Sequence, residues 1–192
     1  PLTFFSASMA PIEKPRGIAK ILPMRNFAVL LIMFFLALAG PAMSDLVGHG
    51  GMVRSVDVSG DGSRVITGSF DYSARIWDFG AQREIAVLNA HEGPVTSVRF
   101  SPDGKTALTT SDDFTAILWD MRTFKVRHRL TGHRHKVMAA AFSPKGDLIA
   151  TGSWDGTVRL WDGASGKQVH EISVGKPVNA VVFLSNGRLL AT

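Results

Sequence analysis

The sequence predicts an all-β protein built from repeated antiparallel units, and three observations support this prediction. Runs of β-forming residues alternate with short turn motifs rich in Gly, Pro, Asp and Ser. A histidine, an aspartate and a tryptophan each recur at a constant interval of 42 residues. Each repeat closes with the dipeptide Trp-Asp. A period of this length that ends in Trp-Asp predicts the four-stranded blades of a β-propeller.

The recurring positions resemble those of a known family. They read Gly48-His49…Trp77-Asp78, Ala90-His91…Trp119-Asp120 and Gly132-His133…Trp161-Asp162, three copies in the same register. On these residues, the segment from Leu46 to Thr192 resembles the WD-repeat β-propellers. The resemblance implies four-stranded antiparallel blades, and we expect neither a cofactor nor a metal site.

Each blade is expected to contain four strands that follow the turn motifs. The blades are predicted at about residues 46–88, 89–130 and 131–174, with a partial blade at 175–192. The predicted strands are 53–58, 64–69, 74–78 and 84–88, then 95–100, 106–111, 116–120 and 126–130, then 137–142, 148–153, 158–162 and 169–174, and finally 177–183 followed by a turn at 185–187. In the first turns of the blades, at 59–62, 101–104 and 143–146, Pro presets the bend in the second and third, Asp caps it in the first and second, and Gly is expected to take a positive φ in all three.

The number of blades predicts an incomplete ring. Propellers close with roughly 4–8 blades, so three and a half blades of this strand spacing cannot close one. Each blade buries its faces against its neighbours. We therefore expect this sequence to be a truncated propeller, one that is monomeric when full length.

An apolar segment near the N-terminus predicts a secretory leader at 24–43. Thirteen apolar residues, 27–39, follow Arg25 and close with Ala37-Leu38-Ala39. A positive flank, a short apolar core and small residues at the cleavage site are typical of a signal peptide. An uncleaved anchor and a buried core helix are the alternatives, but a membrane span needs about 20 apolar residues. Residues 1–23 show no periodicity and are expected to be unstructured or an over-extended start, with Met24 or Met9 as candidate first residues.

The distribution of charge argues against a nucleic-acid partner. The chain has 21 Lys and Arg against 16 Asp and Glu, a net charge of +5. Residues 1–25 carry +3 of this, so the predicted propeller is nearly neutral. There is no cysteine, which excludes disulfides and thiolate metal sites within these residues.

Histidine, serine and aspartate recur together in every predicted blade. A single set would suggest a hydrolase triad, but catalysis needs one site, and three copies indicate architecture. The resemblance implies a buried hydrogen-bond chain that ties the second turn of each blade to its first strand, and buried polar groups must be paired. The predicted structural network comprises His49, Ser69, Asp71, Trp77, His91, Ser111, Asp113, Trp119, His133, Ser153, Asp155 and Trp161.

The second turns differ between blades where the repeat leaves them free. Large aromatic residues stand beside the recurring aspartate, and rigid rings on exposed turns suit partner recognition. In the family these turns lie on the top face of the ring. We therefore predict protein or peptide contacts, with packing on adjacent blades as the alternative, at Phe70, Tyr72, Arg54, Asp112, Phe114, Met138 and Trp154. Met52, Thr96 and Lys136 resemble further top-face positions.

A basic cluster falls on and around the predicted outer strand of the second blade. Charges on an exposed edge strand prevent strand-to-strand aggregation, which is the first interpretation. An anionic ligand or a membrane surface is the second. The cluster comprises Arg122, Lys125, Arg127, His128, Arg129, Arg134 and Lys136.

The sequence favours an exported, non-catalytic interaction scaffold that binds a protein or peptide on its top face. It would be periplasmic in a bacterium and secreted otherwise, and it would meet a membrane only through an uncleaved leader. One alternative is the non-catalytic half of an exported redox enzyme containing haem, or of a hydrolytic enzyme, whose active domain lies beyond Thr192. Another is an intracellular adaptor with a misassigned start.

Overall fold

The computed structural model describes residues 48–192, which fold into three four-stranded antiparallel sheets and one hairpin. The predicted leader at 24–43 and the segment 1–23 lie outside the described residues. No helix within 48–192 has the length and apolar character needed to cross a membrane. The predicted all-β fold of four-stranded antiparallel blades is confirmed for this part of the chain, and the described blades do not close a ring.

Each sheet is a meander in which strands that are consecutive in sequence pair side by side. Blade one contains β1 (Val53–Val58), β2 (Arg64–Ser69), β3 (Ala74–Asp78) and β4 (Arg83–Leu88). Blade two contains β5 (Val95–Phe100), β6 (Thr106–Ser111), β7 (Ala116–Asp120) and β8 (Lys125–Leu130). Blade three contains β9 (Val137–Phe142), β10 (Leu148–Ser153), β11 (Thr157–Asp162) and β12 (Gln168–Ser173). The hairpin pairs β13 (Val181–Phe183) with β14 (Leu189–Ala191).

The first two strands of every blade occupy the predicted residues, and the differences lie farther along. Each outer strand begins one residue earlier than predicted. The predicted strand at 177–183 is regular only from Val181, because the N–H groups of Asn179 and Ala180 both donate to the Thr192 carbonyl. The proline at 177 has no N–H to offer a ladder, which shortens the strand.

The turns between first and second strands show how the chain compensates for a changed residue. Ser59 Oγ donates to Asp61 Oδ1 at 2.6 Å, and Ser101 Oγ donates to Asp103 Oδ1 at 2.7 Å. Lys145 occupies the corresponding position in blade three, and there Ser143 Oγ donates to Asp147 Oδ1 at 2.6 Å instead. A carboxylate therefore caps all three turns, although it comes from a different position in the last one.

The apolar core lies between blades, not within them. Ile66 and Ile76 of blade one pack against Val98 and Trp119 of blade two. Similar clusters join blade two to blade three around Leu118 and Ile149, and blade three to the hairpin. Contact is so close that a Cβ at Gly68 would lie 2.6 Å from a methyl group of Val95.

The face of blade one that points away from blade two has the same composition as a blade interface. Val98 packs against blade one and is only 1% exposed. Val56, its counterpart 42 residues earlier, is 59% exposed. Val53 and Val58 are likewise exposed, while their counterparts Val95 and Phe100 are buried. The periodicity therefore specifies two packing faces for each blade, and blade one has only one of them covered by described residues.

Candidate functional site

A chain of hydrogen bonds crosses each blade from the third strand to the loop before the first strand. In blade two, Trp119 Nε1 donates to Thr109 Oγ1 at 2.9 Å, and Thr109 Oγ1 lies 2.8 Å from His91 Nε2. His91 Nδ1 lies 2.7 Å from Asp113 Oδ2, which also accepts the Glu92 N–H. The other two blades repeat these distances to within about 0.2 Å through His49, Thr67, Asp71 and Trp77, and through His133, Thr151, Asp155 and Trp161.

The hydroxyl in this chain belongs to a threonine, which corrects the predicted role of Ser69, Ser111 and Ser153. Thr109 pairs with Ile117 across the β6–β7 ladder, so Trp119 is its diagonal neighbour on the same face. Ser111 lies two residues farther along, at the turn. Its hydroxyl accepts the Asp113 N–H and donates to the Gly93 carbonyl. The serines therefore hold the turn and do not touch the tryptophan.

One consistent direction for these hydrogen bonds starts at the indole. Since Trp119 N–H donates to Thr109, the threonine hydroxyl is free to donate to His91 Nε2, and His91 Nδ1–H donates to Asp113. Burial lowers the pKa of His133 below its ordinary 6.5, in spite of the neighbouring carboxylate of Asp155.

The aspartates remain ionised in their partly buried positions. Burial raises the pKa of the Asp113 carboxyl, but hydrogen bonds from His91, Thr115 and the Glu92 N–H outweigh it and hold the pKa well below the ordinary 3.8. In each blade a further hydroxyl supports the carboxylate, from Ser73, Thr115 and Thr157. These three residues were not singled out from the sequence, although they share the 42-residue interval.

The network has the groups of a hydrolase triad but no access for a substrate. The hydroxyl groups that could act as nucleophiles are buried, most of them completely. They belong to Thr109, Ser111 and their counterparts in the other blades. Every nitrogen of the histidine is already paired. Nowhere in 48–192 do three or more His, Asp or Glu side chains gather as metal ligands would. The geometry is that of a satisfied structural network.

The residues predicted to contact a partner lie mainly on one end of the blades, which we call the top face. It is formed by the turns between second and third strands (70–73, 112–115 and 154–156) and by the loops before β5 and β9, with the corresponding residues before β1. Large aromatic side chains stand exposed there. The exposed fractions are 40% for Phe70, 49% for Tyr72, 43% for Phe114 and 40% for Trp154.

The polar and aliphatic predicted contacts have mixed environments. The Arg54 guanidinium lies 5.9 Å from the centre of the Phe70 ring, so both belong to one exposed pair. Asp112 Oδ2 forms an ion pair with Lys136 Nζ at 2.5 Å. Met138 is half-buried in β9, and Met52 is 68% exposed. Thr96 is buried and donates to the Val137 carbonyl, so it joins two blades and is not a contact residue.

An aromatic row crosses the top face from blade two to blade three. The His135 ring lies between Phe114 and Trp154, with ring centres 5.8 Å apart on both sides. We call Phe114, His135 and Trp154 the aromatic row. His135 was not singled out from the sequence, because it follows the recurring His133 by two residues and has no counterpart in the other blades.

Two residues of the top face have an unusual backbone conformation. Tyr72 and Phe114 have φ of 71° and 72°, in the left-handed region, at the position that Gly156 occupies in blade three with φ of 81°. A bulky side chain is strained there, whereas glycine is not. The sequence gives a signal for this: glycine in one copy of the turn and an aromatic residue in the other two.

Three residues of the basic cluster form hydrogen bonds with backbone carbonyls on neighbouring elements. Arg127 and His128 of β8 both hydrogen-bond to the Ala164 carbonyl on blade three, at 3.2 and 2.9 Å. Arg129 donates to the Ala90 carbonyl on the loop before β5. The sequence suggested edge protection or ligand binding for these residues. In the structure they also connect neighbouring elements.

Comparison with known proteins agrees with the geometry. The family model described as WD domain, G-beta repeat matches residues 40–78, 82–120 and 124–162, more than half of the chain. The second and third matches begin one residue before the outer strand of one blade and end with the last residue of the third strand of the next. No match to the chain was found among curated proteins. Because this match covers more than half of the chain, and each described blade repeats the Trp–Thr–His–Asp network, the chain belongs to the WD domain, G-beta repeat family.

Proposed function

We propose that this protein is an exported interaction scaffold, without catalysis of its own, that binds a protein or peptide on the top face. The supporting observation is the exposure of four aromatic side chains, Phe70, Tyr72, Phe114 and Trp154, on equivalent turns. WD domains typically bind protein partners. Large rings that remain exposed while the surrounding backbone is rigid provide contact area at little entropic cost.

The absence of catalysis is inferred from where the reactive groups lie. The recurring histidines, hydroxyls and aspartates are occupied by one another. The exposed residues of the top face include large aromatic side chains and the ion pair between Lys136 and Asp112. Groups of this kind recognise surfaces. Reaction chemistry needs an accessible nucleophile, base or metal.

Export is supported by the sequence alone. Arg25 precedes the apolar segment 27–39, which ends in small residues suited to cleavage. Mass spectrometry of the mature protein from fractionated cells tests this directly. We expect a new N-terminus between residues 40 and 44 in the exported fraction. A full-length chain in the cytoplasm would contradict export and leave the binding proposal standing.

The binding proposal is tested by affinity capture with a double variant, Phe70→Ala with Trp154→Ala. We expect proteins that the parent captures to be lost, with the free energy of unfolding changed by no more than about 1 kcal/mol because both rings are exposed. Phe79→Ala is the matched control, since Phe79 is 57% exposed at the opposite end of blade one. Equal capture by the double variant and the parent would show that these rings are not the contact surface.

A further inference from the structure

We infer that the aromatic row of Phe114, His135 and Trp154 is the part of the top face that binds an acidic peptide segment carrying one apolar side chain. This inference rests on the proposed function and narrows it to blades two and three. Three independent features support it: the fixed position of the exposed indole, the sign of the charge around it, and the strained backbone at Phe114.

The Trp154 side chain is held in place although 40% of it is exposed. Its Nε1–H donates to Asn179 Oδ1 at 2.9 Å. The His135 ring lies beside the indole, with ring centres 5.8 Å apart and planes tilted by 42°, and Lys136 Nζ lies 5.7 Å from the indole ring centre. A side chain fixed from several sides loses little entropy when a partner covers it, which is the condition for a binding hot spot.

The charge around the indole is positive. Arg134 and Lys176 are exposed and make no ion pair within the described residues. The backbone at Lys176 lies beside Gly156, and Gly156 belongs to the same turn as Trp154. The two nearby carboxylates are engaged: Asp112 pairs with Lys136, and Asp155 accepts bonds from His133, Thr157 and the Arg134 N–H.

The other end of the row has the opposite sign. Glu92 is exposed on the loop before β5, and its N–H donates to Asp113, next to Phe114 in the turn. A peptide would therefore place its carboxylates at the Trp154 end and its apolar side chain on the rings. Attraction between exposed charges is screened by salt, so binding should weaken as the ionic strength rises.

The backbone at Phe114 indicates that an aromatic residue is present there for a purpose other than stability. Blade three has Gly156 at the same position, where φ is also positive. Glycine adopts this conformation without steric cost. A strained side chain that remains exposed and lies in the aromatic row is a candidate for function.

The test uses short synthetic peptides, labelled at one end, whose binding is followed by fluorescence anisotropy. The probe has one leucine flanked by glutamates. One control replaces the glutamates by lysines, and the other replaces the leucine by glycine. We expect the parent protein to bind the probe at least about tenfold more tightly than either control, a difference expected from one apolar anchor or one pair of charges.

Variants then separate binding from stability. Trp154→Ala should weaken probe binding about tenfold or more. Phe114→Gly should weaken it about fivefold, while the melting temperature does not fall and rises by up to about 4 °C because strain is relieved. Gln82→Gly is the matched control, since Gln82 also has a positive φ, of 50°, lies in the turn between β3 and β4 away from the top face, and should leave probe binding unchanged.

Three outcomes would overturn the inference. They are the absence of probe binding at millimolar concentration, equal binding of the probe and the lysine peptide, and unchanged probe binding by Trp154→Ala. If Tyr72→Gly or Phe70→Ala abolishes affinity capture while the row variants do not, the proposed function stands and the row is not its site. If no top-face variant alters capture, both proposals fail.

Discussion

Thr109 accepts the indole N–H of Trp119 and faces His91 Nε2, and it is completely buried. One hydroxyl therefore satisfies two buried polar groups on different parts of the blade. A buried donor or acceptor left without a partner costs about 1–3 kcal/mol. Thr67 and Thr151 have the same role in the other blades, so each blade depends on a single hydroxyl to complete its network.

Replacing this threonine by valine should be costly although the shapes are alike. We expect Thr109→Val to lower the free energy of unfolding by about 2–4 kcal/mol, because the indole N–H and the imidazole each lose a partner. Urea denaturation measures the change. Ser111→Ala, two residues along the same strand, removes a hydroxyl that bonds to the Asp113 N–H and the Gly93 carbonyl but to neither His91 nor Trp119, and it should cost about 1 kcal/mol. A larger loss for the serine variant would contradict this assignment.

The network also predicts a loss of stability in acid. The pKa of His133 is lower in the folded protein than its ordinary 6.5, so the unfolded chain binds a proton first as the pH falls below about 6.5. The pKa of Asp113 is also depressed, so its contribution is present above about pH 4 and is lost as the pH falls further. Stability should therefore be highest near pH 7 and fall in two stages.

Urea denaturation between pH 8 and pH 3 checks this dependence. The loss below pH 6.5 should persist in His135→Gln, which alters an exposed histidine only two residues from His133. It should diminish in His133→Gln, once the overall lower stability of that variant is taken into account. A parent protein that is equally stable at pH 7 and pH 5 would contradict the neutral, buried state of His133.

The sequence predicted the histidines, aspartates and tryptophans of this network but not the hydroxyl that joins them. Thr109 and Ser111 recur at the same interval and lie on the same face of β6, so periodicity cannot separate them. The register of β6 against β7 decides between them, because only Thr109 lies diagonal to Trp119. His135 was missed for the opposite reason, since its site depends on side chains from two blades and has no repeat.

At the scale of elements, the outer strand β8 connects two blades. Arg127 and His128 reach the Ala164 carbonyl on the turn that follows β11 of blade three. Sequence patterning assigned these basic residues to an exposed edge, which is correct for their position in β8. Their acceptor could not be predicted, because it lies on another blade and is a backbone carbonyl, which any residue type provides.

Removing this connection should loosen the contact between blades two and three. We expect Arg127→Ala with His128→Ala to lower the free energy of unfolding by about 0.5–1.5 kcal/mol, since the bonds are partly exposed to water. Hydrogen exchange at the turn 162–167 should become faster, as mass spectrometry can measure. Lys125→Ala, on the same strand, makes no bond to blade three among the described residues and should leave that exchange unchanged. An unchanged rate in the double variant would contradict the connection.

At the scale of the whole molecule, the repeat divides the residues into two groups. Positions that recur every 42 residues, such as Trp119 and Val98, build blades and the faces between them. Positions that differ, such as Phe70, Phe114 and Trp154, remain exposed on the top face. The periodicity predicted the fold because one packing solution is used repeatedly. It could not predict the aromatic row, which depends on what varies from blade to blade.

The most direct measurement compares one residue from each group, His91→Ala and Trp154→Ala, for both the free energy of unfolding and the capture of partners under native conditions. His91→Ala should lose about 2–4 kcal/mol of stability, because Asp113 and Thr109 each lose one buried partner and a buried ring is removed, and it should still capture the same proteins while folded. Trp154→Ala should lose capture and keep its stability to within about 1 kcal/mol. A His91→Ala variant that is as stable as the parent but captures nothing would contradict this division.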